Sequence, residues 1–321
     1  MTKIVLLDRD TFPEDFKFHH PDFPHEWQEY NATSPEEVVE RLSGATIAIT
    51  NKVKLNAEQL AQLPDLKMIA IAATGFDHID IAQANSQGIT VSNVRGYAVS
   101  TVPEHAMMMI LALSRSLKGY QTEIAEGRWQ RENQFCFFSH PIEDLNNKTL
   151  GLIGRGGLGE GLARLAKGFG MNIITAARKN ETTPKEGHTP FDEFLASCDI
   201  ISIHCPRNDQ TRNLITTAEF AKMTRKPIVI NTARGGIINE EDAITAIDSG
   251  AIRGLGVDCL SAEPPKDGNP LFKIAHYPNV IITPHVAWAS NEAIQSLWNQ
   301  LINNIEQWQQ GSPQNAIEPS A

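Results

Sequence analysis

Three side chains suited to acid–base chemistry stand just after short β-branched runs in the second half of the chain. Arg234 follows Ile228–Asn231 in the run Asn231-Thr232-Ala233-Arg234-Gly235-Gly236, Glu263 lies in the run Val257–Pro265 after Gly254–Val257, and His285 follows Val280–Thr283. Ligands of open α/β sheets bind outside the carboxyl ends of the strands, so all three are expected at one rim. Their types fit one reaction, hydride transfer to a keto acid. A guanidinium would hold a carboxylate and polarise a carbonyl, and an imidazolium would protonate the alkoxide that develops. A carboxylate bonded to that imidazole favours its charged form. Taken singly, Arg234 also reads as a surface ion pair, Glu263 as a solvated acid and His285 as a strand cap.

A glycine loop precedes them. The strand-like run Thr149–Ile153 leads directly into Gly154-Arg155-Gly156-Gly157-Leu158-Gly159 and then into a helix-period segment. This pattern binds dinucleotides for physical reasons. Gly154 permits the tight turn, Gly156 lets backbone approach a pyrophosphate, and Gly159 lets helix pack on strand, while the helix N-terminus supplies free N–H groups. Leu158, Leu162, Leu165 and Phe169 recur at helical spacing, so one face can bury against the sheet. A glycine-rich turn without ligand is the alternative. The nucleotide's identity depends on what ends the second strand, where an acid would bind the adenosine ribose. Here Ile173-Ile174-Thr175-Ala176-Ala177 runs into Arg178 and Lys179 without an acid. Two cations suit a 2′-phosphate, which favours NADP(H) and leaves NAD(H) open. An exposed basic turn that tolerates either cofactor is the competing reading.

The rest of the chain must position these groups. It has 321 residues, 41% of them hydrophobic, and a formal charge of −10. That length suggests about two domains of ~100–200 residues, and the acidic balance argues against nucleic acid as a partner. Strand-like runs at Lys3–Asp8, Thr46–Thr50, Lys67–Ala73 and Ile89–Ser92 alternate with amphipathic stretches, and the alternation resumes at Thr149 with six more runs, the others being Asn172–Thr175, Ile200–His204 and those named above. The fold class is therefore α/β, two doubly wound parallel-sheet domains of which the second is a Rossmann dinucleotide-binding domain. Between them, the Met-rich stretch Thr101–Leu117 reads as a helix buried on several sides, and Asn133–Asn147 reads as a loop. A helical segment at Ala289–Gln310 is expected to cross back to the first domain. Cys136, Cys198, Cys205 and Cys259 form no CxxC pair, so neither disulfides nor a metal site is expected. No run reaches the ~18 apolar residues of a membrane span, and no leader is evident, so a cytoplasmic address is expected.

With these motifs in order, the chain resembles the D-isomer-specific 2-hydroxyacid dehydrogenase family over essentially its whole length. The likeness rests on Gly154–Gly159, Asn231–Glu240, Gly254–Pro265 and Thr283–His285. The resemblance implies that Arg234 binds substrate, that Glu263 orients and charges His285, and that His285 donates the proton. It also implies cofactor contacts from Thr101, Gly154, Gly156, Gly157, Leu158, Gly159, Cys205, Thr232, Ala233, Arg234, Asp258 and His285, with Asp258 facing the nicotinamide amide. In the loop Ala73–Asp77, the backbone N–H groups of Thr74 and Gly75 would receive the substrate carboxylate. Within the family, the segments Asn93–Val99, Gln134–Phe138 and His285–Trp288 are most similar to the glycerate dehydrogenase or hydroxypyruvate reductase branch. Trp288 would then wall the substrate pocket, or else pack under the final helix.

These readings imply a substrate-binding domain of residues 1–100 completed by 288–321, a cofactor domain of residues 101–287, and an active site in the cleft between them. The expected partners are a small 2-keto or 2-hydroxy acid and a second copy of the chain in a homodimer. Neither nucleic acid nor membrane is an expected partner. Two rivals stay open. One is a nucleotide-sensing binding protein of the corepressor kind; the other is a dehydrogenase of the same family with a different 2-hydroxy acid.

Overall fold

The computed structural model describes residues 1–265 and 268–318. The chain divides into two units, Met1–Tyr97 with Ser290–Ala321, and Ala98–Ala289. The expected segments ran to residue 100 and from residue 288; their last three residues, 319–321, lie outside the described residues.

The first unit holds five parallel strands, β1 (Thr2–Leu6), β2 (His25–Glu29), β3 (Ile47–Thr50), β4 (Met68–Ile71) and β5 (Thr90–Ser92), in the order β2-β1-β3-β4-β5. Every residue of β3 and β4 is buried, as expected where helices cover both faces of a parallel sheet. Strand β2 was not expected from the sequence. It is an edge strand of mostly polar residues, none fully buried, so it carries no apolar alternation, and its pairing with β1 alone defines it. The sheet reverses direction between β1 and β3, and Asp8 fills that point. Its buried carboxylate accepts the backbone N–H groups of Asn51 (3.0 Å), Lys52 (2.6 Å) and Val53 (3.2 Å). Burial pushes this carboxyl above its ordinary value, against those hydrogen bonds. The helix Asn291–Gln309, with Ser290 Oγ accepting from Ala293 N, buries Leu297, Trp298, Leu301 and Ile305 in this unit.

The second unit holds six parallel strands among the described residues, β6 (Thr149–Ile153), β7 (Asn172–Thr175), β8 (Ile200–Ile203), β9 (Ile228–Asn231), β10 (Gly254–Val257) and β11 (Val280–Ile282). Their order is β11-β10-β9-β8-β6-β7. The chain leaves β6 for the edge strand β7 and then crosses to β8 on the other side, so the reversal falls between β6 and β8. Phe194, Ile201, Val229 and Leu255 pack on one face of the sheet, and Met109, Ile110, Leu150 and Leu162 on the other. The Met-rich helix spans Thr101–Ser114, shorter than expected, because Ser116 turns into the left-handed region (φ 51°) and starts a separate helix, Leu117–Ala125. Met108 stays exposed while Met107 and Met109 are buried. A further short helix, Arg128–Glu132, precedes the expected loop. Among the described residues, no helix is long and apolar enough to cross a membrane.

Candidate active site

The glycine loop lies at the sheet reversal of the second unit. Gly154 adopts φ +92°, and a Cβ there would stand 2.9 Å from the Cys205 backbone N. A Cβ on Gly159 would meet the Gly154 carbonyl oxygen at 2.4 Å. Gly156 is different, with nothing within 4 Å of the position its Cβ would take. It is also the N-cap of the helix Gly157–Gly168 and supplies no side-chain oxygen to the first turn. Other helices here do have such a cap; Asn239 Oδ1, for example, accepts from Asp242 N. The start of this helix is thus uncapped and open beside Gly156, which is what a pyrophosphate requires.

Nearby polar atoms point the same way. Thr232 Oγ1, Thr175 Oγ1 and His204 Nδ1 are buried without a hydrogen-bond partner among the described residues, a state that costs about 1–3 kcal/mol each unless a ligand relieves it. Burial takes the His204 imidazole down to about 4 and the Cys205 thiol up to about 11, so both are neutral at pH 7. The attraction for phosphate comes from backbone N–H groups and the helix dipole. These residues fit a dinucleotide.

The turn after β7 corrects one expectation. The sequence offered two free cations and no acid, yet Lys179 Nζ lies 2.8 Å from Glu219 Oε1, in an ion pair that is buried on the Glu219 side. Burial raises the Glu219 carboxyl, but the hydrogen bonds of Lys179 and Thr216 outweigh it and leave the group below its ordinary value. An acid does stand at this turn, since Glu181 Oε2 accepts the Arg178 backbone N–H at 3.1 Å. Only the exposed Arg178 side chain, which pairs with no described residue, remains available for a phosphate.

Arg234, Glu263 and His285 follow three adjacent strands, β9, β10 and β11. The buried Asn231 shapes the first loop, its Oδ1 accepting from Ala233 N and its Nδ2 donating to the Arg234 carbonyl. Arg234 Nη1 donates to the Ala233 carbonyl (2.9 Å), which leaves further N–H donors on the guanidinium. Gly235 then presses against the next loop so closely that a Cβ would lie 1.9 Å from the Leu260 carbonyl oxygen. Leu260 N donates to Glu263 Oε1 (2.8 Å), and Glu263 Oε2 lies 2.6 Å from His285 Nδ1. The carboxylate has no proton to give, so the imidazole donates from Nδ1, and its Nε2 is left for a substrate.

His285 itself has φ +55°, uncommon for a residue with a side chain. Its loop is tied down on several sides. The buried Asp258 accepts from Val286 N and Ala287 N (2.9 Å each) and from Thr283 Oγ1. The Thr283 proton is thereby used, so His105 Nε2, 3.1 Å away, is the donor to that hydroxyl. Burial holds His105 below its ordinary value despite the pull of Asp258. Thr101 Oγ1 donates to the Ala287 carbonyl (3.3 Å), and Trp288 Nε1 donates to the His285 carbonyl (2.9 Å). Thr101 and Asp258, singled out as cofactor contacts, therefore also hold this loop; Asp258 Oδ2 accepts a single described hydrogen bond and keeps room for another.

In the first unit, Thr74 and Gly75 follow β4. Thr74 Oγ1 donates to the Val94 carbonyl (2.9 Å), and Asn93 Nδ2 donates to the Thr74 carbonyl (2.7 Å). Asn304 of the terminal helix donates in turn to the Asn93 carbonyl. Neither backbone N–H of Thr74 or Gly75 has a partner among the described residues.

The comparisons with known proteins agree with this geometry. The sequence profile of the D-isomer specific 2-hydroxyacid dehydrogenase NAD-binding domain matches residues 107–287. The chain belongs to the D-isomer specific 2-hydroxyacid dehydrogenase family. A glycerate dehydrogenase of Methylorubrum extorquens is 46% identical over 317 residues, which cover 98% of this chain and 99% of that protein. A hydroxypyruvate reductase of Blautia hydrogenotrophica is 32% identical, over 98% of this chain and 99% of its own. Among solved structures, an acyclic imino acid reductase in complex with NADPH and D-Arg superposes with a TM-score of 0.80 at 27% identity, covering 99% of this chain and 100% of that one.

For a D-2-hydroxyacid dehydrogenase, several positioning residues here escaped sequence reasoning. Glu240 accepts Ser261 N (2.6 Å), Ser261 Oγ (2.8 Å) and Asn269 Nδ2 (3.2 Å), clamping the loop that carries Glu263. His105 and Asn231 act in the same way on their own loops. Asn231 and Glu240 bound a run that carries the family likeness, but no positioning role was legible for them or for His105, because each contact joins loops distant in sequence or depends on a turn whose shape only coordinates give.

Proposed function

We propose that this chain reduces a small 2-keto acid, hydroxypyruvate or glyoxylate, to the D-2-hydroxy acid. The Glu263–His285 hydrogen bond, anchored through Leu260 N beside the Arg234 loop, carries this reading. A bound reduced nicotinamide would supply the hydride to C2 of the keto acid. Arg234 holds the substrate carboxylate and polarises the carbonyl, and His285 gives its Nε2 proton to the developing alkoxide. Glu263 stabilises the imidazolium and fixes which nitrogen faces the substrate. The Thr74 and Gly75 N–H groups would receive the carboxylate. Thr232, with its orphaned hydroxyl, and Ala233, Cys205 and the glycine loop would hold the dinucleotide, with Asp258 Oδ2 accepting from the amide. Trp288 serves first as a brace for His285, and the pocket wall is its second role.

Arg178 supports NADPH as the favoured cofactor, with Lys179 withdrawn to Glu219. The exposed side chains Leu117, Trp129, Phe135 and Phe138 of the second unit support a homodimer, and four cysteines held in no disulfide suit a reducing, cytoplasmic setting. Steady-state kinetics with NADPH and NADH against a panel of 2-keto acids tests the whole. Turnover with hydroxypyruvate or glyoxylate supports the proposal, while cofactor binding without turnover of any keto acid favours a nucleotide sensor. Arg178→Ala should raise the KM for NADPH on the order of 10- to 100-fold, the worth of a charged hydrogen bond, and spare NADH. Equal loss for both would remove the preference.

A further inference from the structure

We propose that Cys259, Glu263 and His285 form a binding site for a soft divalent cation such as Zn²⁺, and that filling it stops reduction. One ligand atom from each of the three lies within 4.8 Å of the others. The set combines a thiol, an imidazole and a carboxylate, the donor types that zinc takes in three-ligand sites with a fourth position open. With bonds of about 2.0–2.3 Å, tetrahedral zinc needs its ligands roughly 3.3–3.6 Å apart. The site reaches that by opening the 2.6 Å Glu263–His285 contact by less than an ångström and drawing in the Cys259 sulfur. The cluster is layered for entry, with Cys259 buried beneath a partly exposed Glu263 and His285.

The backbone holds the ligands together before any metal arrives. Cys259 follows Asp258, whose carboxylate binds the N–H groups of Val286 and Ala287 next to His285. Glu240 fixes Ser261 between Cys259 and Glu263. On binding, the Cys259 thiol and any imidazolium release a proton to solvent as their bonds to the metal form, and no electrons move. The bound metal would separate Glu263 from His285 and occupy Nδ1, so that giving up the Nε2 proton would leave a metal-bound imidazolate rather than a neutral imidazole, which makes His285 a far poorer donor. Binding stands on the cluster alone; inhibition rests on the role proposed for His285.

The test uses the full chain with the exposed Cys136 replaced by Ser, to remove a competing thiol. Co²⁺ titration is read by thiolate-to-cobalt charge-transfer absorption and, in parallel, by the rate of NADPH oxidation with hydroxypyruvate. A stoichiometric absorption that Zn²⁺ displaces, lost in both Cys259→Ser and Cys259→Ala, is expected. In those variants Zn²⁺ should inhibit at concentrations higher by about tenfold or more, since changes merely around a metal ligand already cost on the order of 10–100-fold in affinity. Absence of the absorption, or its persistence in folded Cys259 variants, would overturn the site. Stoichiometric binding with undiminished turnover would overturn the inhibition, and with it the part given to His285.

Discussion

Replacing Gly235 by Ala should damage catalysis without touching any reacting group. The added Cβ would fall 1.9 Å from the Leu260 carbonyl oxygen, 2.0 Å from its carbon and 2.5 Å from Ser261 N, whereas real Cβ contacts essentially never come under 3.0 Å. All three obstacles are backbone, so nothing can swing aside and the two loops must part by about 1 Å. Leu260 N holds Glu263, and Glu263 holds His285, so the displacement passes directly to the proposed proton donor. Misplacement of 1 Å in a reacting geometry costs on the order of 100-fold. The kcat for keto-acid reduction should fall by about that factor, while NADPH binding, followed by fluorescence, should weaken far less, because Thr232 and Ala233 share the displaced loop but the glycine loop does not. Thermal unfolding should show a folded protein destabilised by about 1–3 kcal/mol, as for overpacking generally. Gly168→Ala is the control, with nothing within 4 Å of its Cβ position. A Gly235→Ala variant with wild-type kcat would refute the idea that the contact between these loops sets the position of Glu263.

Two other outcomes are expected, one from this network and one from the buried His204. Glu263→Gln keeps the size of the side chain but lacks the charge that stabilises a protonated His285, and kcat should fall on the order of 10²–10⁴-fold with folding intact; stopped-flow reduction assays check this. His204 is held neutral by burial, its imidazole lowered from 6.5 to about 4. The unfolded chain therefore binds the proton first, so this stability is present above pH 6.5 and is lost as pH falls towards 4. Urea unfolding of wild type against His204→Gln should show a difference that changes by about 3 kcal/mol across that window. A difference independent of pH would contradict it.

Much of the fold was legible because buried parallel strands are runs of apolar residues. Strands β3, β4, β8, β9 and β10 are buried throughout, and each stood out in the sequence. Strand β2 did not, since an edge strand buries little and can be polar. The break after Ser114 was hidden because Leu111, Leu113 and Leu117 continue the apolar pattern across the left-handed Ser116. At the site, the residue types at the strand ends were readable, whereas their neighbours were not. Lys179 looked free until Glu219, 40 positions away, closed on it. Asp258 looked like a ligand contact, and only coordinates show its carboxylate gathering the 283–287 turn. Cys259, set aside in the sequence because the cysteines form no CxxC pair, lies against the two titratable groups.

The proposed reduction depends on His285 as the proton donor, and single-turnover hydride transfer in His285→Asn tests that most directly. Enzyme preloaded with NADPH is mixed with hydroxypyruvate, and loss of nicotinamide absorbance is followed. The variant should bind NADPH as wild type does yet transfer hydride more slowly by about 10²–10⁴-fold. Transfer at the wild-type rate would contradict the account.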